Sequence, residues 1–143
     1  MNADRAFIDT NIFIYIQRTD VPVKTKISEM TIEYFNCFAS TQVLNETCNI
    51  LTKKYPSPKE KIERVLNSII ESCTMITITC EYPKRALDYH FKYSISYYDA
   101  LMVVAALDAG CKYLITEDMQ DGLVIDNKLQ IVNIYEHTDL LTR

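Results

Sequence analysis

Apolar residues along the chain fall into short runs with strand character and longer stretches with helical spacing, and the two alternate. Arg5 to Ile8 reads as a short buried strand. Asn11 to Ile16 is ambiguous: Ile12, Phe13, Ile14, Tyr15 and Ile16 favour a strand, but Asp9-Thr10-Asn11 ahead of them is a helix-capping signal. After a break around Pro22, Lys26 to Phe35 carries Ile27, Met30, Thr31, Tyr34 and Phe35 at helical spacing. Cys37 to Ala39 predicts a second strand, and Ser40 or Thr41 then caps a helix with Val43, Leu44, Thr47, Ile50 and Leu51 on one face. Ser57 is placed to cap the next helix, with Pro58 in its first position, Glu60 completing a capping box and its end near Glu71.

Thr74 to Thr79 alternates like a half-buried strand. Lys84 to Tyr93 predicts a helix with Ala86, Leu87, His90 and Phe91 inward. Ser96 caps a helix from Tyr97 to Ala109 that is apolar nearly all round and so must lie centrally, and Gly110 stops it. Lys112 to Thr116 and Gln130 to Ile134 supply the last strands. Strands that alternate with helices imply an α/β fold with a twisted, mostly parallel sheet, flanked by helices joined through right-handed crossovers.

The length of 143 residues, with no repeat or low-complexity stretch, gives one domain spanning 1–143. No run approaches the roughly 18 apolar residues of a membrane span. Met1-Asn2-Ala3-Asp4-Arg5 leads straight into a strand-like run, so no signal peptide is expected. The five cysteines are an odd number with no C-x-x-C pair, which fits buried, reduced thiols and a cytoplasmic protein. His90 and His137 lack cysteine neighbours at zinc spacing. A net charge of −4 excludes a general nucleic-acid binder held by charge alone. Nucleic acid would have to be met by a local basic face, such as Lys53-Lys54, Lys59-Lys61-Arg64 or Lys84-Arg85, or by metal ions.

The chemistry gathers at the junctions. Asp9 follows the first strand, Glu46 lies about one and a half turns into the helix after the second, and Asp118 follows Ile115-Thr116. Asp99 opens the apolar helix. In an open α/β sheet, ligands bind beyond the carboxyl ends of the strands, where these four acids can converge. Each also has a plain structural role open to it: Asp9 as a cap, Asp99 as partner of Ser96, Glu46 on a solvated face, Asp118 and Asp121 as turn acids. Clustered carboxylates repel, and a divalent cation relieves that repulsion. Oxygen-only donors favour Mg²⁺ or Mn²⁺, which lower the pKa of a bound water. A second ion about 4 Å away would stabilise a leaving oxygen, a pattern suited to phosphodiester hydrolysis.

Four segments carry a resemblance. Phe7-Ile8-Asp9-Thr10-Asn11, Ser40-Thr41-Gln42-Val43-Leu44-Asn45-Glu46, Tyr98-Asp99-Ala100-Leu101 and Ile115-Thr116-Glu117-Asp118-Met119-Gln120-Asp121-Gly122, in this order, resemble the PIN-domain nucleases, most of all the VapC-type toxins of bacterial toxin–antitoxin pairs. The resemblance implies Mg²⁺- or Mn²⁺-dependent endoribonuclease activity, with Asp9, Glu46, Asp99 and Asp118 as the acidic quartet. It implies that Thr10 and Asn11 orient the first acid, that Thr116 positions water or metal, and that Asp121 is an outer addition. It also implies RNA as substrate, a small antitoxin as partner and a homodimer. The tail departs: Val132-Asn133-Ile134-Tyr135 stands where many relatives have Asn-Pro-Phe. The other readings are a PIN fold that binds RNA or protein without cutting, a phosphoacceptor receiver, and a haloacid-dehalogenase phosphatase. The last two want acid pairs that the early Asp-Thr-Asn does not supply.

Overall fold

The computed structural model describes residues 3–142; Met1, Asn2 and Arg143 of the domain read as 1–143 lie outside the described residues. Its centre is β1 (Arg5–Ile8), whose Ala6, Phe7 and Ile8 are fully buried. β2 (Asn36–Ser40) pairs with one side of β1 and β4 (Tyr113–Ile115) with the other, both parallel. β3 (Thr74–Ile76) extends the sheet beyond β2, and β6 (Leu129–Val132) extends it beyond β4, again in parallel. β5 (Val124–Ile125) adds an antiparallel edge, giving the order β3-β2-β1-β4-β6-β5. The direction of winding reverses between β1 and β4, and a crevice forms at such a point, outside the strand ends.

Six helices join these strands: α1 (Thr10–Gln17), α2 (Pro22–Tyr34), α3 (Thr41–Lys53), α4 (Lys59–Ser72), α5 (Tyr82–Tyr93) and α6 (Tyr97–Asp108). The ambiguous run after Asp9 is therefore helical; the cap signal prevails over the strand propensity of its isoleucines. α6 is buried without interruption from Ala100 to Ala106 and packs on β1, β2, β4 and β6. Gly110 follows it with φ +66°, the left-handed conformation that ends a helix cheaply.

Several expectations are corrected. The break after α1 is present over 18–21, but α2 starts at Pro22 rather than Lys26, with the proline in its first turn, where its missing N–H costs nothing. Ser57 does not cap α4; Pro58 takes that place without a side-chain bond, and the Ser57 hydroxyl donates to the Tyr55 carbonyl at 2.8 Å. The third strand stops at Ile76 rather than Thr79, and the chain then leaves the sheet so that Ile78 N–H donates to Thr41 Oγ1 at 3.1 Å. Asn133 leaves the last strand early, its side chain capping a 3₁₀ turn over Ile134–Glu136. On α5, Ala86 is buried, but Leu87 and Phe91 are 47% and 76% exposed. The five cysteines are free, yet Cys80 is exposed and Cys48 half-buried rather than core residues.

Candidate active site

The pairing of β1 with β4 builds the first part of the site. Ile8 stands opposite Ile115, so the next residues on each strand, Asp9 and Thr116, leave the sheet side by side. Asp9 N–H donates to the Ile115 carbonyl at 3.1 Å, and the Thr116 hydroxyl donates to Asp9 Oδ2 at 2.7 Å. The other oxygen, Oδ1, accepts from Thr10 N–H at 2.6 Å as α1 begins. Asp9 is thus both a helix cap and a buried carboxylate with one hydrogen bond to each oxygen, only 4% exposed. Burial drives its pKa up to about 7. The Thr116 and Thr10 bonds oppose the rise, while the charges of Asp118 and Glu46 add to it.

Glu46 reaches the same place from α3. Its Oε1 accepts from the Thr10 hydroxyl at 2.7 Å, and its Oε2 from Gln42 Nε2 at 3.0 Å, one turn earlier on the same helix. Gln42 Nε2 also donates to the Tyr98 carbonyl at 3.0 Å, which ties α3 to the first turn of α6. Both of its partners are acceptors, so the amide orientation is settled, and the buried Oε1 has no donor among the described residues. Asp118, in the loop after β4, accepts from Asn11 Nδ2 at 3.1 Å, and its own N–H donates to Thr116 Oγ1 at 3.2 Å. Thr10 and Asn11 therefore hold the side chains of Glu46 and Asp118, besides the backbone bond from Thr10 to Asp9.

These groups wall a cleft of about 780 Å³ lined by Asp9, Glu46 and Asp118, with Asn45, Asn49 and Tyr98 also in its lining. Tyr98 is exposed, while Tyr97 packs against the core. Asp99 lies in the first turn of α6 beside this wall, its N–H donating to the capping Ser96 Oγ at 3.1 Å. Burial, followed by the charges of Asp118 and Glu46, raises the pKa of Asp99. Burial likewise raises that of Asp118, helped by Glu117 and Glu46 and opposed by the Asn11 bond.

Asp121 is not among the cleft-lining residues. It accepts from Asn133 N–H at 2.9 Å and pairs with His137 at 2.6 Å, and its pKa is lowered chiefly by the backbone bond. Glu117 had no role assigned from sequence. It accepts from the Tyr15 hydroxyl and binds Lys24 at 2.9 Å, clamping the Asp118 loop to α1 and α2. Gln42 was also overlooked, although its spacing of four from Glu46 on a helix is a signal for such a contact.

The donor set is consistent with a hard divalent cation: three carboxylates line the cleft and a fourth stands beside it, with no Lys, Arg or His in the lining. Three of the acids face one cleft, but among the described residues no three of His, Cys, Asp and Glu are drawn together into a ready-made metal cage. Magnesium does not need one, because it keeps several waters and takes one or two carboxylates.

Residues 6–120 match the model of the PIN domain, and the chain belongs to the PIN domain family. No curated protein matches it in sequence. In fold it is similar to a chain of a toxin–antitoxin complex from Klebsiella pneumoniae, with TM-score 0.66, 20% identity, and 90% of this chain and 96% of that one covered. It is also similar to VapC20 of Mycobacterium tuberculosis, a toxin that cleaves the sarcin–ricin loop, with TM-score 0.64, 13% identity, and 79% and 91% covered. A third likeness is to a chain of VapBC2 from Rickettsia felis, bound to a DNA fragment from its promoter, with TM-score 0.57, 16% identity, and 80% and 88% covered.

Proposed function

We propose that this chain is a metal-dependent endoribonuclease, the toxin of a type II toxin–antitoxin pair, acting in the cytoplasm. The observation that carries the reading is the convergence of Asp9, Glu46 and Asp118, with Asp99 adjacent, on one cation-free cleft at the switch point of the sheet. Acids this close raise one another's pKa, and a bound cation removes that cost, which supports a metal site over four separate structural roles.

Asp9, Asp99, Asp118 and Glu46 would hold Mg²⁺ or Mn²⁺. When bound, the ion would polarise the phosphate and lower the pKa of a water beside it. Thr116 and Thr10 hold the Asp9 carboxylate rigid, so its reorganisation is settled before substrate arrives. Thr10 and Gln42 fix Glu46 with one lone pair on each oxygen still free, placing it to take the proton of the attacking water. The water oxygen forms the new bond to phosphorus, the P–O bond to the leaving oxygen breaks, and that oxygen is protonated from solvent. Asn11 keeps Asp118 turned toward the same space.

The fold is shared with chains of toxin–antitoxin complexes, which supports an antitoxin partner for this chain. A cleft with acids and no cation suits an arginine from such a partner. A homodimer is part of the same reading. Among the described residues no helix is long and apolar enough to cross a membrane.

The test uses purified protein, free of antitoxin, with mixed RNAs and Mg²⁺ or Mn²⁺. Cleavage that disappears with EDTA and in Asp99→Asn is the expected result. RNA binding without metal-dependent cutting would instead identify a PIN fold that binds and does not cleave.

A further inference from the structure

The cleft stops at Asn49 and Ile50, but α3 continues. Lys53 is seven residues, nearly two turns, beyond Glu46, on the same side of the helix and about 10 Å along it. Lys54, next to it, lines a second cavity of about 430 Å³ with Arg18, Tyr55 and Lys61. We propose that this second cavity binds the phosphate backbone of a single RNA strand whose scissile phosphate lies at the acids, so that the strand runs along α3. The proposal rests on the ribonuclease reading above.

The argument is first electrostatic. The acid cleft offers no basic side chain to a polyanion, and the whole chain carries −4, so any affinity for RNA that does not depend on metal has to come from a separate local site. The second cavity has the right sign: Arg18, Lys54 and Lys61 face the single acid Asp20. Arg18 already neutralises that acid through a fork, Nε to Oδ1 at 2.9 Å and Nη2 to Oδ2 at 2.6 Å. Lys54 and Lys61 have no carboxylate partner among the described residues, so both remain available to phosphates.

The second part is shape. The Arg18 guanidinium sits 5.3 Å from the centre of the Tyr55 ring and Lys54 Nζ 5.6 Å from it, a cationic wall with an aromatic floor, the pairing that single strands are held by. Between Glu46 and Lys53 the exposed residues of α3 are Asn49 and Thr52, both neutral. A strand can pass there without meeting a repelling charge. An acidic protein segment would use the cations equally well but gives no reason for their continuity with the cleft.

The test is Lys54→Gln/Lys61→Gln in the full chain, with a short fluorescein-labelled unstructured RNA as the anisotropy probe in EDTA, so that nothing is cut. The expected result is weaker binding for every base sequence and a salt dependence shallower by about 1.4, at about 0.7 per lost phosphate contact on a single strand. The thermal shift on adding Mg²⁺ should be unchanged, since the acids are untouched. An unaltered salt slope overturns the proposal even if the protein cuts RNA, as does an absence of RNA binding by the unsubstituted chain. A slope change in a protein that never cuts upholds the RNA site and removes the nuclease reading alone.

Discussion

Replacing Asp9 by Asn should make the metal-free protein more stable at neutral pH, although Asp9 is the most deeply buried acid of the site. The amide is isosteric. Its oxygen can accept from Thr10 N–H as Oδ1 does, and its NH₂ can donate to Thr116 Oγ1, which reverses that bond without breaking it. What changes is the charge. The carboxyl has a folded-state value near 7 against an ordinary 3.8, so the folded state binds the proton more tightly than the unfolded chain. Its contribution to stability is full below pH 3.8 and is lost as pH rises through 7. At about 1.4 kcal/mol per pH unit, ionising it in place costs up to about 4 kcal/mol at pH 8. For a domain of this size that is a melting difference of up to about 13 °C. Asp99 and Asp118 carry raised values in both proteins, so they largely cancel in the comparison. The assay is urea unfolding of both proteins from pH 4 to 8 in EDTA. The Asn protein should be the more stable at pH 8 and equal to the parent near pH 4. Parallel curves across the range, or a less stable Asn protein at pH 8, would refute the reasoning.

Three further outcomes are expected. Thr116→Val removes the hydroxyl that favours the Asp9 anion and should weaken Mg²⁺ binding at pH 7, a loss recovered by raising the pH, as a metal titration followed by melting temperature would register. Leu114→Ala, at a fully buried position in β4, should cost about 2–5 kcal/mol in denaturant unfolding. Phe91→Ser, on the exposed face of α5, should change unfolding stability by no more than about 0.5 kcal/mol.

The alternation of strands and helices was legible because α/β chains write it in two periods, and α6 announced its own burial through Ala100 to Ala106. The failures came where one local signal had two uses. Pro22 marks both the end of the break after α1 and the start of α2; Leu87 and Phe91 have helical spacing but face solvent, since spacing does not say which side has a neighbour. β5 was missed because two residues carry no period at all. At the site, residue types marked the acids, and their convergence followed from the strand order. The hydrogen bonds among them were not legible. That Thr10 would hold Glu46 depends on how α1 and α3 lean together, and the link from Asp9 to Thr116 depends on a register between residues far apart in sequence.

That register also determines when the site can exist. Asp9 leaves the ribosome first, yet the hydroxyl that fixes it and the acid beside it are made more than a hundred residues later, at Thr116 and Asp118. At about 5–20 residues per second, that gap is several seconds or more of synthesis. No nascent fragment that lacks β4 can assemble the cleft, so whatever chemistry the cleft carries has to wait until Thr116 and Asp118 have joined Asp9.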